Sequence, residues 1–331
     1  MRLVILILLP ALAIGSGVWM VMLRMPGKSH SGAAAPLTQR EAMRSDSLRK
    51  DVEKLAGEIG ERNLVHYQAL TDSADYLEQA LLEAGYAVER NAIKANTANG
   101  SRLTVNLIAE VKGTQRPDEI VILGAHYDSR EGTPGADDNA SGTAAVLSLA
   151  RSFVKAKPDR TLRFVFFTNE EYFRQNLMGS LVYANLCRAR NDNIVAMVSL
   201  ETIGYYSDVA GSQRYPFPIN LFYPSTGDFL GFVGNTDSRS LVRTAIGSFR
   251  AVATIPSQGV AAPESIDGVG WSDHWSFWQQ GYPAIMITDT APFRNPHYHE
   301  LTDTPDTLDY GRMARVVTGM EDMLQTLAAT H

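Results

Sequence analysis

The sequence has little of several features that would narrow its function at once. Its 331 residues include one cysteine, Cys187, which excludes an internal disulfide and a cysteine-rich metal site. Positive charge is not in excess either, because 30 lysines and arginines stand against 36 aspartates and glutamates, for a formal net charge of −6. That balance argues against nucleic acid as a partner. No internal repeat or low-complexity segment follows residue 36, and the length allows one large or two small domains.

Long hydrophobic runs are scarce, and the one exception lies near the N-terminus. The stretch Leu3–Leu23 is almost continuously apolar, and about 20 such residues span a bilayer as a helix. A cleaved signal peptide usually has a shorter apolar core, roughly 7–15 residues, followed by a small-residue cleavage site. Ala33–Ala35 is such a site, but it lies far from the run and Pro36 follows it. We expect an uncleaved signal anchor, with a cleaved signal peptide as the alternative.

The run also sets the expected organisation of the chain. Residues 1–24 form the anchor or signal peptide, residues 25–36 a small-residue linker, and residues 37–331 one folded domain. A membrane anchor at residues 3–23 predicts an extracytoplasmic protein, in the periplasm or cell envelope, held at the inner membrane. Cleavage of the segment would predict a secreted protein instead.

One stretch in the middle of the chain has the features of a metal site. The apolar run Ile120–Leu123 ends at a glycine and predicts a buried strand. His126 and Asp128 follow it directly, and a second acidic pair, Asp137 and Asp138, comes on a loop of small residues. Histidine and aspartate at the carboxyl end of a buried strand suit a metal site in an open α/β sheet. The alternative is a polar turn that caps the next helix.

The same pattern, an apolar strand with acidic or histidine residues after it, recurs three times. Leu162–Phe167 is followed by Glu170 and Glu171, Ile194–Leu200 by Glu201, and Pro283–Thr288 by a loop with two histidines, His297 and His299. Adjacent carboxylates after a buried strand are costly unless a positive charge lies beside them, and a metal ion would supply it. For the glutamate pair, a solvated helix start with acidic residues at its positive end stays open as an alternative.

Taken in order, these segments resemble the co-catalytic zinc exopeptidases, which include bacterial leucyl-type aminopeptidases, glutamate carboxypeptidase and glutaminyl cyclases. The matching segments are His126–Asp128, Gly135–Gly142, Glu170–Glu171, Glu201, Ser272–His274, Tyr298–His299 and Asp303. The resemblance covers roughly residues 50 to 325. It implies an α/β fold, a three-layer α/β/α single domain with a mixed, mostly parallel central sheet, so that residues 37–331 would be a zinc peptidase domain.

The resemblance also implies two Zn²⁺ ions as cofactors. The implied ligands are His126 and Glu201 for one ion, Glu171 and His299 for the other, and Asp138 as the bridge between them. Asp138 is preferred over Asp137 because the family's ligand stands four positions before the glycine of its Ser-Gly pair, here Gly142. Nitrogen and oxygen ligands without thiolate suit zinc, although cobalt or manganese could replace it in vitro.

Further roles follow from the same resemblance. Glu170 would be the general base that activates a metal-bound hydroxide, and Tyr298 would donate a hydrogen bond to the developing oxyanion, unless it is only a packing residue. Asp128 would hydrogen-bond the second nitrogen of His126. A cis peptide bond would join Asp138 to Asn139.

Other parts of the chain are expected to have structural roles or depart from the family. His274 is predicted to be structural and to start a helix capped by Ser272 or Asp273. Glu201 stands where many members have aspartate. The aromatic and proline-rich segment between residues 205 and 270 is expected to form part of a substrate pocket wall, with an added structural layer as the alternative.

The expected activity is hydrolysis of N-terminal peptide bonds, with a peptide as the substrate and the membrane as a partner through the N-terminal segment. A glutaminyl-peptide cyclotransferase with one working zinc, and a non-enzymatic receptor-like domain, stay open as alternatives. Receptor-like domains of this fold lose metal ligands, whereas all five positions here hold a possible ligand.

Overall fold

A single mixed sheet of eight strands organises the protein in the computed structural model, which describes residues 17, 22–97, 100–215, 217 and 219–330. The strands are β1 (Val88–Thr97), β2 (Gly100–Val111), β3 (Arg116–His126), β4 (Arg160–Phe167), β5 (Asn193–Glu201), β6 (Leu230–Gly234), β7 (Ser257–Ala261) and β8 (Ala284–Thr288). Their order across the sheet is β1-β2-β4-β3-β5-β8-β6-β7. The four central strands β4, β3, β5 and β8 run parallel, whereas β2 and β6 pair antiparallel to them.

Helices cover both faces of this sheet. They are α1 (Gln39–Val52), α2 (Tyr67–Ala84), α3 (Gly142–Phe153), α4 (Gly179–Ala189), α5 (Arg239–Val252), α6 (His274–Trp278) and α7 (Tyr310–Ala328). Successive side chains of a strand point to opposite faces, and the central strand β3 shows the result. Val121 and Leu123 join the apolar core beneath α1, α2, α3, α5 and α7, whereas Ile120 and Ile122 join the core beneath α4 and α6. The expected three-layer α/β/α fold is thereby confirmed.

Helix α2 begins earlier than its sequence predicts. The pattern of residues predicts a helix from Ser73 to Ala84, closed by Gly85, whereas the helix starts at Tyr67. Ser73 lies inside the helix and its hydroxyl donates to the carbonyl of Ala69. The chain enters the helix through a turn in which the Asn63 side chain accepts the N–H groups of Val65 and His66. Gly85 ends the helix with a φ of 106°, as its position after the apolar pattern predicts.

The N-terminal segment is described only in part. The predicted anchor at residues 3–23 lies outside the described residues except for residues 17, 22 and 23. Within the described part of the chain, none of the helices combines the length and apolarity needed to cross a membrane. The predicted linker, residues 25–36, lies against the domain: Arg250 donates to the carbonyl of Pro26 and Arg315 to that of Ala35.

Candidate metal centre

The predicted site residues meet at one edge of the sheet because the central strands are parallel. Strand β3 ends at His126 and β5 ends at Glu201, while β4 ends three residues before Glu170. The carboxyl ends of parallel strands face the same edge, where open α/β sheets place their ligands. Three separate parts of the chain are thus brought together, as the repeated pattern of an apolar strand followed by acidic or histidine residues predicts.

Five of the side chains form two groups with the composition of a metal site. His126, Asp138 and Glu201 form the first group, and Asp138, Glu171 and His299 form the second, with the candidate ligand atoms of each group within 4.8 Å of one another. The first group is buried, whereas the second is more open, with 31% of the His299 side chain exposed.

Asp138 belongs to both groups and presents one carboxylate oxygen to each. Its Oδ1 lies 3.3 Å from Nε2 of His126, and its Oδ2 lies 3.0 Å from Nε2 of His299. A carboxylate that offers one oxygen to each of two neighbouring ligand groups has the geometry of a bridge between two ions.

The distances between candidate ligand atoms fit zinc. Nε2 of His126 lies 3.3 Å from Oε2 of Glu201, and Nε2 of His299 lies 3.6 Å from Oε2 of Glu171. Tetrahedral zinc with bonds near 2.1 Å separates its ligand atoms by about 3.4 Å. Among the described residues, Nε2 of His126, Oδ1 of Asp138 and Oε1 of Glu171 are buried without a hydrogen-bond partner. Such atoms are rare in folded proteins, and a cation is the partner that all three would accept.

The loop that carries Asp138 is fixed from its backbone. Asp303 accepts the N–H of Asp137 with one carboxylate oxygen, at 2.9 Å, and that of Asp138 with the other, at 3.1 Å. The Asp137 carboxylate is engaged elsewhere, because it accepts from the N–H of Gly204 and from the amide of Asn295. Asp138 is therefore the member of the pair that faces both ligand groups. The peptide bond between Asp138 and Asn139 is cis, as the resemblance implies.

Asp128 faces the second nitrogen of His126 and has a further contact. Its Oδ1 lies 3.5 Å from Nδ1 of His126, on the side of the ring that the resemblance implies. The two oxygens of Asp128 also accept the N–H groups of Glu170 and Glu171, at 3.1 and 3.2 Å. Each of these two backbone N–H groups donates to a different oxygen of the Asp128 carboxylate. Asp128 thus fixes the turn that presents both glutamates.

Glu170 lies beside the two groups without belonging to either. Its Oε2 is 4.0 Å from Nε2 of His126, and the residue is buried. Burial raises the pKa of Glu170 well above its ordinary value; His126 opposes this, and the charges of Glu201, Asp273 and Glu171 add to it. A buried carboxylate next to a ligand group, with a raised pKa, has the properties of a general base.

Tyr298 and the remaining histidines differ in how they relate to the site. The ring of Tyr298 stacks on that of His299 with centroids 3.8 Å apart. His297 lies outside both ligand groups, with Nδ1 2.9 Å from the hydroxyl of Thr302. His274 is fully buried with Nε2 against the carbonyl of Val269, and burial lowers its pKa to about 4.

Helix α6 begins after Asp273, which stands at the N-cap position as expected, although its side chain makes no capping hydrogen bond. The Ser272 hydroxyl instead connects this turn to the site, because it donates to Oε2 of Glu201 at 2.6 Å. Ser272 lies 71 residues from Glu201, and Asp303 lies 165 residues from Asp138. No spacing pattern in the sequence indicates either contact, which only the fold reveals.

An apolar cavity adjoins the ligand groups. Glu201 and Tyr298 line it on one side. Its further aromatic lining is Tyr215, Tyr223, Phe229, Phe232, Trp271 and Phe293. The segment between residues 205 and 270 therefore forms much of a wall beside the candidate centre, as its composition predicts.

Comparison with known proteins agrees with this geometry. The model of a family described as "Peptidase family M28" matches residues 106–323, which is about two thirds of the chain. The chain belongs to peptidase family M28. This M28 chain is 35% identical over 302 residues to "Uncharacterized protein YfbL" of Escherichia coli K12, covering 88% of the chain and 90% of that protein.

Two fungal relatives of the M28 chain have functional names. "Probable zinc metalloprotease Lema_P086240" of Leptosphaeria maculans is 29% identical over 231 residues, covering 64% of the chain and 52% of that protein. "Leucine aminopeptidase 1" of Arthroderma otae is 28% identical over 270 residues, covering 75% and 65%. The M28 chain thus spans about half to two thirds of these fungal proteins.

Solved structures share the fold at lower identity. The aminopeptidase of Aneurinibacillus sp. strain AM-1 superposes with a TM-score of 0.64 at 19% identity, over 88% of this chain and 96% of that one. The glutaminyl cyclase of Fimbriiglobus ruber superposes with a TM-score of 0.62 at 20% identity, over 92% and 99%. At this identity, the likeness shows the fold of the M28 chain, and its reaction has to be inferred from the site residues.

Proposed function

We propose that the protein is a zinc-dependent aminopeptidase that hydrolyses N-terminal peptide bonds with Glu170 as general base. The observation that supports this most is the position of Asp138, with one oxygen 3.3 Å from His126 and the other 3.0 Å from His299. This arrangement suits two ions held by His126, Glu201, Asp138, Glu171 and His299. When bound, zinc supplies Lewis acidity toward a carbonyl and lowers the pKa of water.

Glu170 is proposed to move the protons of the reaction. Its carboxylate lies next to both ligand groups and outside them, so that it is free to accept a proton from the attacking water. The same carboxylate then returns the proton to the leaving amine, which must be protonated to depart. Asp128 keeps Glu170 in place by accepting its backbone N–H.

Tyr298 is proposed to bind the carbonyl oxygen as negative charge develops on it. Burial raises the pKa of Tyr298 well above its ordinary value, so the phenol keeps its proton at neutral pH and can donate it in a hydrogen bond. Stacking on His299 limits the positions of its ring. A donor held in place beside the reacting carbonyl stabilises the oxyanion more than the ground-state carbonyl.

The apolar cavity supports an exopeptidase that accepts the side chain of the first residue. It begins at Glu201 and Tyr298 and is lined by aromatic rings, which favour a bulky apolar side chain through burial of its surface.

We propose further that residues 3–23 anchor the domain at the outer face of an inner membrane.

A release assay on the zinc-loaded protein tests this function. A panel of aminoacyl p-nitroanilides and aminoacyl amides is run beside cyclisation of a glutaminyl peptide, with N-acetylated substrates as controls. We expect release from free amino termini, fastest for leucine or phenylalanine, and none from the acetylated set. Cyclisation without release would replace the aminopeptidase with a glutaminyl cyclase, and the absence of both activities in a zinc-loaded preparation would favour a receptor-like domain.

A further inference from the structure

Arg62 is an arginine buried in an unusual way. It is 0% exposed and is the largest fully buried side chain of the described residues. Buried arginines normally pair with a carboxylate, since an isolated charge is costly in the interior. Among the described residues, no carboxylate oxygen forms an ion pair with Arg62; every acceptor of its guanidinium is a backbone carbonyl.

Three of the four carbonyls belong to segments that carry candidate ligands, whereas the fourth, that of Gly60, belongs to the segment of Arg62 itself. Nε donates to the carbonyl of Tyr127, at 2.6 Å, which stands between His126 and Asp128. The two terminal nitrogens donate to the carbonyls of Pro134 and Gly135, the latter at 2.7 Å, and these residues lead into the Asp138 loop. One planar group therefore joins the end of strand β3 to the loop that carries the bridging residue.

The loop has a constrained backbone where Arg62 contacts it. Gly135 has a φ of 61°, and a Cβ there would lie 2.3 Å from the carbonyl oxygen of Asp138. The backbone of Arg62 is tied to the same region: its N–H donates to the Ser129 hydroxyl and its carbonyl accepts the N–H of Ser129. A guanidinium has five donors in a fixed plane, which suits several carbonyls at once, whereas an ammonium has three donors on a point charge.

The charge of Arg62 also acts on the site. Burial lowers its pKa to about 10, and the carboxylates of Asp128, Asp303, Asp138 and Glu171 oppose this decrease. The guanidinium is thus charged at neutral pH. A nearby cation reduces repulsion among the carboxylates, but it also disfavours a second cation, so its charge alone would weaken metal binding.

We infer that Arg62 is a positioning residue that holds His126 and Asp138 in the relative placement needed to bind the same ion. This inference rests on the proposed zinc site. Arg62 lies before residues 106–323, which the family model matches, so the support of the site would include residues outside that segment. The property of Arg62 that matters here is the planar arrangement of its N–H donors, and not its charge.

Two substitutions separate geometry from charge. Arg62→Lys keeps the positive charge and loses the planar set of N–H donors, whereas Arg62→Met loses both. If geometry dominates, Arg62→Lys should raise the zinc dissociation constant about tenfold or more, in the range seen for residues that orient metal ligands. If charge alone mattered, Arg62→Lys would match the wild type and Arg62→Met would bind zinc more tightly.

Arg44 provides the matched control. Its side chain is 7% exposed and bridges α1 to Thr318 and Glu321 of α7, away from the ligand groups. Arg44→Lys should lower the midpoint of thermal unfolding and leave zinc affinity within twofold of the wild type. Thermal unfolding of each metal-free variant, followed by circular dichroism, reports how much of any effect is a general loss of stability.

Zinc affinity is measured by competition with a chromophoric chelator and requires no substrate. An inactive but zinc-binding wild type would thus refute the proposed function and leave this test valid. An Arg62→Lys variant with a zinc dissociation constant within twofold of the wild type would overturn the inference. Failure of Arg62→Lys to fold even with excess zinc would also overturn it, because Arg62 would then be a general requirement for folding.

Discussion

Replacement of Glu170 by glutamine tests the division of roles between two adjacent acidic residues. The change keeps the size of the side chain and removes its basicity. Glu170 lies 4.0 Å from Nε2 of His126 and outside both ligand groups, whereas Oε2 of Glu171 lies 3.6 Å from Nε2 of His299 within the second group. Turnover in Glu170→Gln should fall by about 10²–10⁴, the usual contribution of a general base, which is about 2.7–5.5 kcal/mol of transition-state stabilisation.

The neighbouring substitution serves as the control. Glu171→Gln weakens a ligand, so it should lose zinc together with activity. The assay combines steady-state hydrolysis of a leucyl or phenylalanyl p-nitroanilide with metal analysis of the same preparations. The predicted result is a Glu170→Gln protein with full zinc content and little activity. Zinc loss in Glu170→Gln with retention in Glu171→Gln would exchange the two roles, and full activity of a zinc-loaded Glu170→Gln protein would refute the mechanism.

Three further predictions concern the support of the site, the cavity and the interior. Asp303→Asn leaves one acceptor oxygen for the two N–H groups of Asp137 and Asp138, so zinc affinity in a chelator competition should fall about tenfold; unchanged affinity would contradict this role. Trp271 lines the cavity and stacks on Phe293. Trp271→Ala should lower kcat/KM for a phenylalanyl substrate about tenfold, because the substrate side chain loses part of the free energy of its burial. Equal losses for alanyl and phenylalanyl substrates would argue against the cavity as the side-chain pocket. His274 has a pKa of about 4 in the folded state, below the ordinary 6.5, so the unfolded state binds more protons between these two values. The free energy of unfolding should therefore fall by about 3 kcal/mol as the pH falls from above 6.5 toward 4. Denaturant unfolding of the metal-free protein at pH 7 and pH 4.5 measures this loss, which should shrink in His274→Gln.

The sequence predicted the centre of the fold better than its edges. Strands β3, β4, β5 and β8 are buried and rich in apolar residues, so their positions follow from composition. Strands β6 and β7, the last two at one side of the sheet, have five residues each and contain glycines, which leaves a pattern too weak to predict. The early start of α2 depends on the side chain of Asn63, which imitates a turn outside the helical pattern.

The candidate ligands could be proposed from sequence because each follows a recognisable strand, but their supports could not. Asp128 was expected beside His126, and its carboxylate lies 3.5 Å from Nδ1 of that ring. Its oxygens also accept the backbone N–H groups of Glu170 and Glu171, 42 and 43 residues away, which no spacing in the sequence indicates. The contact between Arg62 and the Asp138 loop spans 73 residues, and no periodicity relates two loops at that distance.

The number of zinc ions per chain tests the central claim most directly. Metal-free protein is titrated with zinc, freed of excess by gel filtration, and analysed for zinc and protein in the same fractions. Two ligand groups that share Asp138 predict two zinc ions per wild-type chain, and one in a His299→Ala variant that keeps His126 and Glu201. A wild-type chain that binds one zinc ion at saturation, or none, would contradict the two-metal account.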